Sequence, residues 1–305
     1  RRRMRVFVLH PHGRVSPIQA LQMTTVLDDN VHNLAVAGTF DDCQRIVKEL
    51  FADLDFRDRH RLGAINSINW ARLLAQIVYY FWAYRQLLRD KRITPGAPVH
   101  FAVPTGNFGN ILAAWYAMQM GLPVGRLLCA SNQNRVLTDF FRTGSYTSDR
   151  EFYKTSSPSM DILISSNLER FLYHLAGGEK VAAWYEELET QWAFSIDPAT
   201  KTAMDAVIYP GWADETATAA EITRIWKEHG YLIDTHTAVG CAVARAFREE
   251  TGDPTPIILD STASPYKFGE TVYEAAFGPL PTGADELTLL KIMSDKSGTP
   301  LHRTV

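Results

Sequence analysis

"VHFAVPTGNFGNILAAWYAM", residues 99–118, runs from an apolar stretch through two glycines and two asparagines into an alanine-rich segment. An apolar run broken by Pro104, Gly106 and Gly109 predicts a buried strand, a turn and a helix. Gly106 and Gly109 leave the backbone uncovered, so a ligand can approach its N–H groups closely. The helix that follows turns its unpaired N–H groups and the positive end of its dipole to the same place. Such a junction suits an anion, most often a phosphate. Glycines alone fit a plain strand-to-helix turn; Asn107 and Asn110 shift the reading by adding amide donors around the same point.

Outward from this junction the same alternation recurs. Residues 4–10 read as a strand, 16–27 as a helix with Ser16 as N-cap and Pro17 in its first turn, and 31–38 as a second strand. A helix follows in 39–54, with Asp41 or Asp42 near its start. This order implies parallel strands joined by right-handed crossovers. The charged run "DFRDRHRLG" (55–63) reads as a domain junction. The long helix expected over 64–90 carries Ile65, Ile68, Leu73, Ile77 and Phe81 as a buried stripe. Asn66, Asn69, Arg72 and Gln76 form a polar strip beside it, either a satisfied interhelical network or a helix end facing a polar ligand.

Further on, 126–131 and 255–263 read as buried strands and 231–252 as a strand stub and a helix. Helices are expected over 157–178, ended by Gly177, and over 214–230, capped by Asp214 and stopped by Gly230. The predicted fold class is α/β, an open, doubly wound, mostly parallel sheet with ligand at the carboxyl ends of its strands. "TGNFGN", "CASNQN" and "DSTAS" all fall on that edge.

Composition narrows the function. With 305 residues, 46% of them hydrophobic and 21% charged, the chain can bury a sizeable core. A net charge of −3 argues against nucleic acid as the main partner. The basic cluster Arg1, Arg2, Arg3 and Arg5 reads as a solvated chain end. Cys43, Cys129 and Cys241 are sparse, odd in number and without metal-ligand spacing, as expected of free thiols in the cytoplasm. Charge interrupts every long apolar segment within the ~20 residues a membrane span needs. No His-Glu-x-x-His, Cys-x-x-Cys or Gly-x-Ser-x-Gly occurs, so neither a metal site nor an acyl hydrolase is expected. The loop matches neither dinucleotide nor triphosphate patterns. His236 in "DTHTA" is assigned a structural or supporting duty. From spacing alone the chain is an enzyme-like α/β domain that cradles a phosphate.

Five stretches go further: "HPHGRVSPIQALQMTT" (10–25), "NSINWARLLAQ" (66–76), "PTGNFGNILAAWYAMQMGLP" (104–123), "SPSMDILISSNLERFL" (157–172) and "STASPYKF" (261–268), with "GYLIDTHTAVG" (230–240) as a sixth. Together they resemble the threonine synthase family, pyridoxal-phosphate (PLP) enzymes of the tryptophan-synthase-β fold type, fold type II. The resemblance implies that Gly106, Asn107, Phe108, Gly109 and Asn110 hold the PLP phosphate and that Thr262 meets the pyridine nitrogen. It implies that Asn66, Ser67, Arg72 and Asn107 surround a substrate phosphate. The implied reaction turns O-phospho-L-homoserine and water into L-threonine and phosphate, in a monomer or homodimer. Residues 1–58 would then be the C-terminal part of a small α/β domain, and 59–305 the large PLP-binding domain.

The family's Schiff-base lysine lies upstream of the stretch matching "HPHGRVSP". Lys154 and Lys267 fall inside matched motifs but not at that position. An N-terminally truncated form is therefore expected. A related PLP-dependent lyase or synthase-like paralogue, or a non-catalytic fragment, are the alternatives.

Overall fold

The structure is a computed structural model that describes residues 3–13, 15, 17–38, 40–65 and 69–301. Two compact units divide the chain, Arg1–Ala64 with Leu280–Val305, and Ile65–Pro279. The boundary expected from the resemblance lay at 58/59, within the charged run. The division observed falls at 64/65 and places 280–305 with the first unit.

In the first unit β1 (Val6–Pro11) pairs in parallel with β2 (Val31–Val36), Val6 opposite Val31 and Pro11 opposite Val36. A parallel pair needs a crossover, here containing α1 (Pro17–Thr24). Ser16, the expected cap, lies outside the described residues, as do Arg1 and Arg2. Then come α2 (Phe40–Ala52) and α3 (Leu54–His60). The charged run read as a junction is therefore largely helical. Asp53 caps α3 by accepting from the Phe56 N–H at 2.9 Å, and Asp55 at one end with Arg57, Arg59 and His60 at the other complement the helix dipole.

The second unit opens with α4 (Trp70–Arg89), whose Asn69 caps the first turn through the Ala71 N–H. β3 (Val99–Pro104) and α5 (Gly109–Gln119) form the quoted junction, followed by β4 (Val124–Ser131) and α6 (Val136–Thr143). A small antiparallel pair, β5 (Ser145–Thr147) with β6 (Ala193–Ser195), encloses α7 (Leu168–Ala176) and α8 (Gly178–Gln191) in sequence. Next are α9 (Pro198–Asp205), β7 (Ile208–Trp212), α10 (Glu215–His229), α11 (Thr235–Thr251), β8 (Ile257–Leu259) and α12 (Gly269–Phe277). Finally α13 (Glu286–Ser297) belongs to the first unit.

The main sheet has the order β7-β4-β3-β8, all parallel. Every residue of β3 is buried, as a strand covered on both faces requires. Val99, Phe101 and Val103 join Leu127 and Cys129 in a core shared with α4, α5, α6 and α7. Ala102, Leu128 and Ala130 face the other way, onto Val239, Ala242, Val243 and Phe247 of α11. The alternation along each strand thus builds both layers of a doubly wound sheet. Helix α11 sits close because it carries Gly240: a Cβ there would stand 2.5 Å from Leu259 and 3.0 Å from Pro104.

Four expectations are corrected. The buried face of α4 is Leu73, Ile77, Tyr80 and Tyr84. Ile65 is 74% exposed, Phe81 lies on the exposed side, and Ile68 is outside the described residues. Residues 157–178 are not one helix, because a 3-10 turn at Pro158–Met160 is followed by irregular backbone up to α7. Asp161 there accepts from Asn132, Asn134 and Thr155, and Ser165 donates to the Gly106 carbonyl, so this segment is committed to tertiary hydrogen bonds. Residues 231–233 form no strand, and β8 is shorter than 255–263.

Candidate active site

The loop between β3 and α5 is held by neighbours on every side. Phe108 adopts φ 62°, ψ 3°, a left-handed conformation that an L side chain resists. Its ring is 1% exposed, with centroids 5.7 Å from Phe141 and 5.5 Å from Phe171, so packing holds the strained backbone in place. At Gly106 a Cβ would come 3.0 Å from the Met160 Cα and 3.1 Å from the Ser159 carbonyl. A glycine is required there by a neighbouring backbone.

The turn before α7 supplies donors for the loop's carbonyls. Ser165 Oγ donates to Gly106 O at 2.8 Å, and Asn167 donates to Asn107 O through its main-chain N–H (3.1 Å) and its Nδ2 (2.9 Å). Ser166 Oγ donates to Asn107 Oδ1. The Asn110 amide shapes the loop: its Oδ1 accepts from Thr105 Oγ1 and the Ile111 N–H, and its Nδ2 donates to Pro104 O at 2.9 Å. Its side-chain donor is thus committed to the protein, and its main-chain N–H is what remains for a ligand. Among the described residues, the amide N–H groups of Gly106 to Asn110 find no protein acceptor.

These residues line a cavity of about 740 Å³, a size suited to a small cofactor and substrate. From α4 come Arg72, Gln76, Tyr79 and Tyr80, and from the turn after β8 come Asp260, Ser261 and Thr262. Arg72 is exposed and donates to Ile65 O at 3.4 Å; it forms no ion pair among the described residues. Asn66 and Ser67, expected beside it, lie outside the described residues. Gln76 Oε1 is buried without a donor. Thr262 is exposed in the wall. Lys267 also lines the cavity, while Lys154 does not. No cluster that could hold a metal occurs among the described residues.

His236, assigned a supporting duty from sequence, lines the cavity and is held by hydrogen bonds on both ring nitrogens. It is 2% exposed; its Nε2 accepts from the Ser159 N–H at 3.2 Å, and its Nδ1 lies 3.2 Å from Asp234 Oδ1. Accepting at Nε2 fixes a proton on Nδ1 of the neutral ring, and that N–H donates to Asp234. Asp234 caps α11, accepting from the His236 and Thr237 N–H groups and from the Thr237 hydroxyl. The motif "CASNQN" stands outside the cavity wall. Asn132 and Asn134 are buried and secure the 153–161 segment.

Tyr80 and Asp260 were not singled out by sequence. The Tyr80 hydroxyl lies 2.6 Å from Asp260 Oδ2 and 2.8 Å from the Asn110 carbonyl oxygen. Burial pushes the Asp260 carboxyl up to about 6 and, with the nearby carboxylate, raises the Tyr80 phenol well above its usual range. An acid closing the apolar run "IIL" was the available signal.

Residues 237–293 match the family profile "Threonine synthase, C-terminal". The threonine synthase of Eremothecium gossypii is 44% identical over 88% of this chain and 55% of its own length. Along most of its length the chain is similar in sequence and in fold to threonine synthases. The crystal structure of PLP-bound threonine synthase from Brucella melitensis superposes with a TM-score of 0.81 at 40% identity, covering 94% of this chain and 60% of that one. Yeast threonine synthase gives the same TM-score at 37% identity, covering 97% and 65%. The 305 residues therefore span a little over half the length of the family members they match.

Proposed function

We propose that this chain provides the cofactor-phosphate and substrate-phosphate subsites of a PLP-dependent threonine synthase, acting on O-phospho-L-homoserine and water to give L-threonine and phosphate. One observation carries the reading: the main-chain N–H groups of Gly106 to Asn110, leading into α5, have no protein acceptor among the described residues, and these five residues line a cavity together with Thr262 and Arg72. A phosphate satisfies that donor set and the helix dipole together. The neighbouring carbonyls are already occupied by Ser165 and Asn167, so the loop presents donors.

In this reading Gly106, Asn107, Phe108, Gly109 and Asn110 bind the cofactor phosphate, chiefly through main-chain N–H groups. The Thr262 hydroxyl meets the pyridine nitrogen and, being neutral, leaves it largely unprotonated. When bound, PLP would supply an electron sink for negative charge developing at the Cα of the amino acid. Arg72, with Asn66, Ser67 and Asn107, receives the substrate phosphate and stabilises it as it departs, a task suited to a guanidinium fork. The chain is assigned to parts of a small and a large domain, and the protein to the cytoplasm, as a monomer or homodimer. The free thiols of Cys43, Cys129 and Cys241 suit that location. No described helix is long and apolar enough to cross a membrane. Turnover is assigned to the family's full-length architecture.

The test is equilibrium dialysis of the 305-residue chain against PLP. One molecule bound per chain, displaced by inorganic phosphate, is expected. No binding, or binding indifferent to phosphate, would overturn the reading.

A further inference from the structure

A tyrosine hydroxyl carries one proton, and a main-chain carbonyl has none to give. The Tyr80 oxygen nevertheless stands within hydrogen-bond distance of two acceptors, Asn110 O at 2.8 Å and Asp260 Oδ2 at 2.6 Å. Tyr80 is only 2% exposed, and its single O–H is what these two contacts have to share. If Asp260 is ionised, the single proton satisfies one contact and leaves two oxygens facing each other at the other. If Asp260 is a carboxylic acid, its O–H donates to Tyr80 Oη, Tyr80 O–H donates to Asn110 O, and each contact holds one proton.

We propose that Asp260 is a positioning residue whose proton, relayed through Tyr80, fixes the first turn of α5 beneath the phosphate loop. Asp260 is itself anchored, its N–H donating to Ala102 O at 3.0 Å. The hydrogen bond its carboxyl makes among the described residues is the one to Tyr80. The other titratable groups of the cavity wall are Arg72 and Tyr79 of α4, His236 of α11 and Lys267 beyond the turn. Asp260 is half-buried in the cavity wall, and this partial removal from water favours the neutral acid. An anion on the loop adds a like charge nearby and favours the same form, so anion and proton bind together, each strengthening the other. Thr262 lies two residues beyond Asp260 and Asn110 within the loop's helix, so this contact links both walls of the cavity.

For its ligand the proposal rests on the phosphate-site reading; for the proton it stands alone. The complete chain is labelled with 13C at aspartate Cγ and titrated from about pH 4 to 8. The resonance missing in Asp260→Asn identifies Asp260, and its midpoint is expected near 6. A midpoint in the ordinary carboxylate range, at or below about 4.5, overturns the proposal.

Binding of sulfate, whose charge is constant over this range, is measured in parallel. Wild-type affinity is expected to fall about threefold or more between about pH 5.5 and 7.5 relative to Asp260→Asn, whose Nδ2–H supplies the donor at every pH. Equal pH dependence in the two proteins also overturns it. Tyr80→Phe, which keeps the ring and removes the relay, is expected to bind sulfate more weakly and to lose the same pH-dependent component; an unchanged profile counts against the proposal. A raised Asp260 midpoint with no PLP binding would remove the cofactor reading alone.

Discussion

Phe108 occupies a backbone well that favours glycine, and its ring is what keeps it there. Phe108→Ala is expected to cost about 3–5 kcal/mol in urea unfolding, the range for deleting a buried aromatic. Phe108→Gly loses the same ring but relieves the left-handed strain, and is expected to unfold about 1 kcal/mol later than the alanine variant. The reverse order would show that the strain is not borne at this residue. For Arg72, calorimetric titration with O-phospho-L-homoserine should show about tenfold weaker binding in Arg72→Ala, with PLP affinity unchanged. Arg72→Lys should recover only part of the loss, since an ammonium cannot reproduce the fork. The glycines of this loop were legible in the sequence, but part of the reason for Gly106 was not. The backbone that crowds it comes from residues 159–160, far away in the chain. Asn110 was read as a ligand donor for the same reason: its real partner, Pro104 O, becomes its neighbour only when the turn closes.

Helix α11 begins on a single carboxylate. Removing it in Asp234→Ala unsatisfies the His236 and Thr237 N–H groups and the Nδ1–H of His236 at once. A loss of about 2–3 kcal/mol is expected by thermal unfolding, with faster amide exchange at Ser159, which donates to the same imidazole. Unchanged exchange at Ser159 would separate the cap from the loop. Elements with clear local punctuation were read well: β3, and α10 between Asp214 and Gly230. Helix α4 was read in part: Leu73 and Ile77 are buried as expected, but the face continues through Tyr80 and Tyr84 and not Phe81, because apolar residues surround the helix on most sides and periodicity alone did not choose among them. The helix expected over 157–178 failed for the opposite reason. Its polar residues look helix-compatible locally, but Asp161 and Ser165 are held by Asn132, Asn134 and Gly106.

For the whole molecule, the parallel doubly wound architecture was legible from the alternation of elements, but the strand order β7-β4-β3-β8 was not. Order depends on which strands meet, and sequence alone carries little of that. Stability should respond to pH in two opposing senses. Asp197, Asp253 and Asp285 are held below the usual carboxylate range by hydrogen bonds, from Lys180 and Thr200, from Thr255 and His100, and from Thr288 respectively. Their folded values are depressed, so what they contribute is present above about pH 4 and lost as pH falls. Asp260 is shifted upward, so its contribution is full below about pH 4 and lost as pH rises through 6. Urea midpoints measured across this range should therefore rise and then decline, and Asp260→Asn should abolish the decline alone.

Helix α4 buries one face and leaves Leu74, Val78 and Trp82 exposed at 53%, 61% and 57%, with Trp70 at 47% near its start. Four residues apart, the first three form a continuous hydrocarbon strip in water. The polypeptide on its own should accordingly light up anilinonaphthalene dyes while fully folded, and its solubility, more than its stability, should set the working concentration.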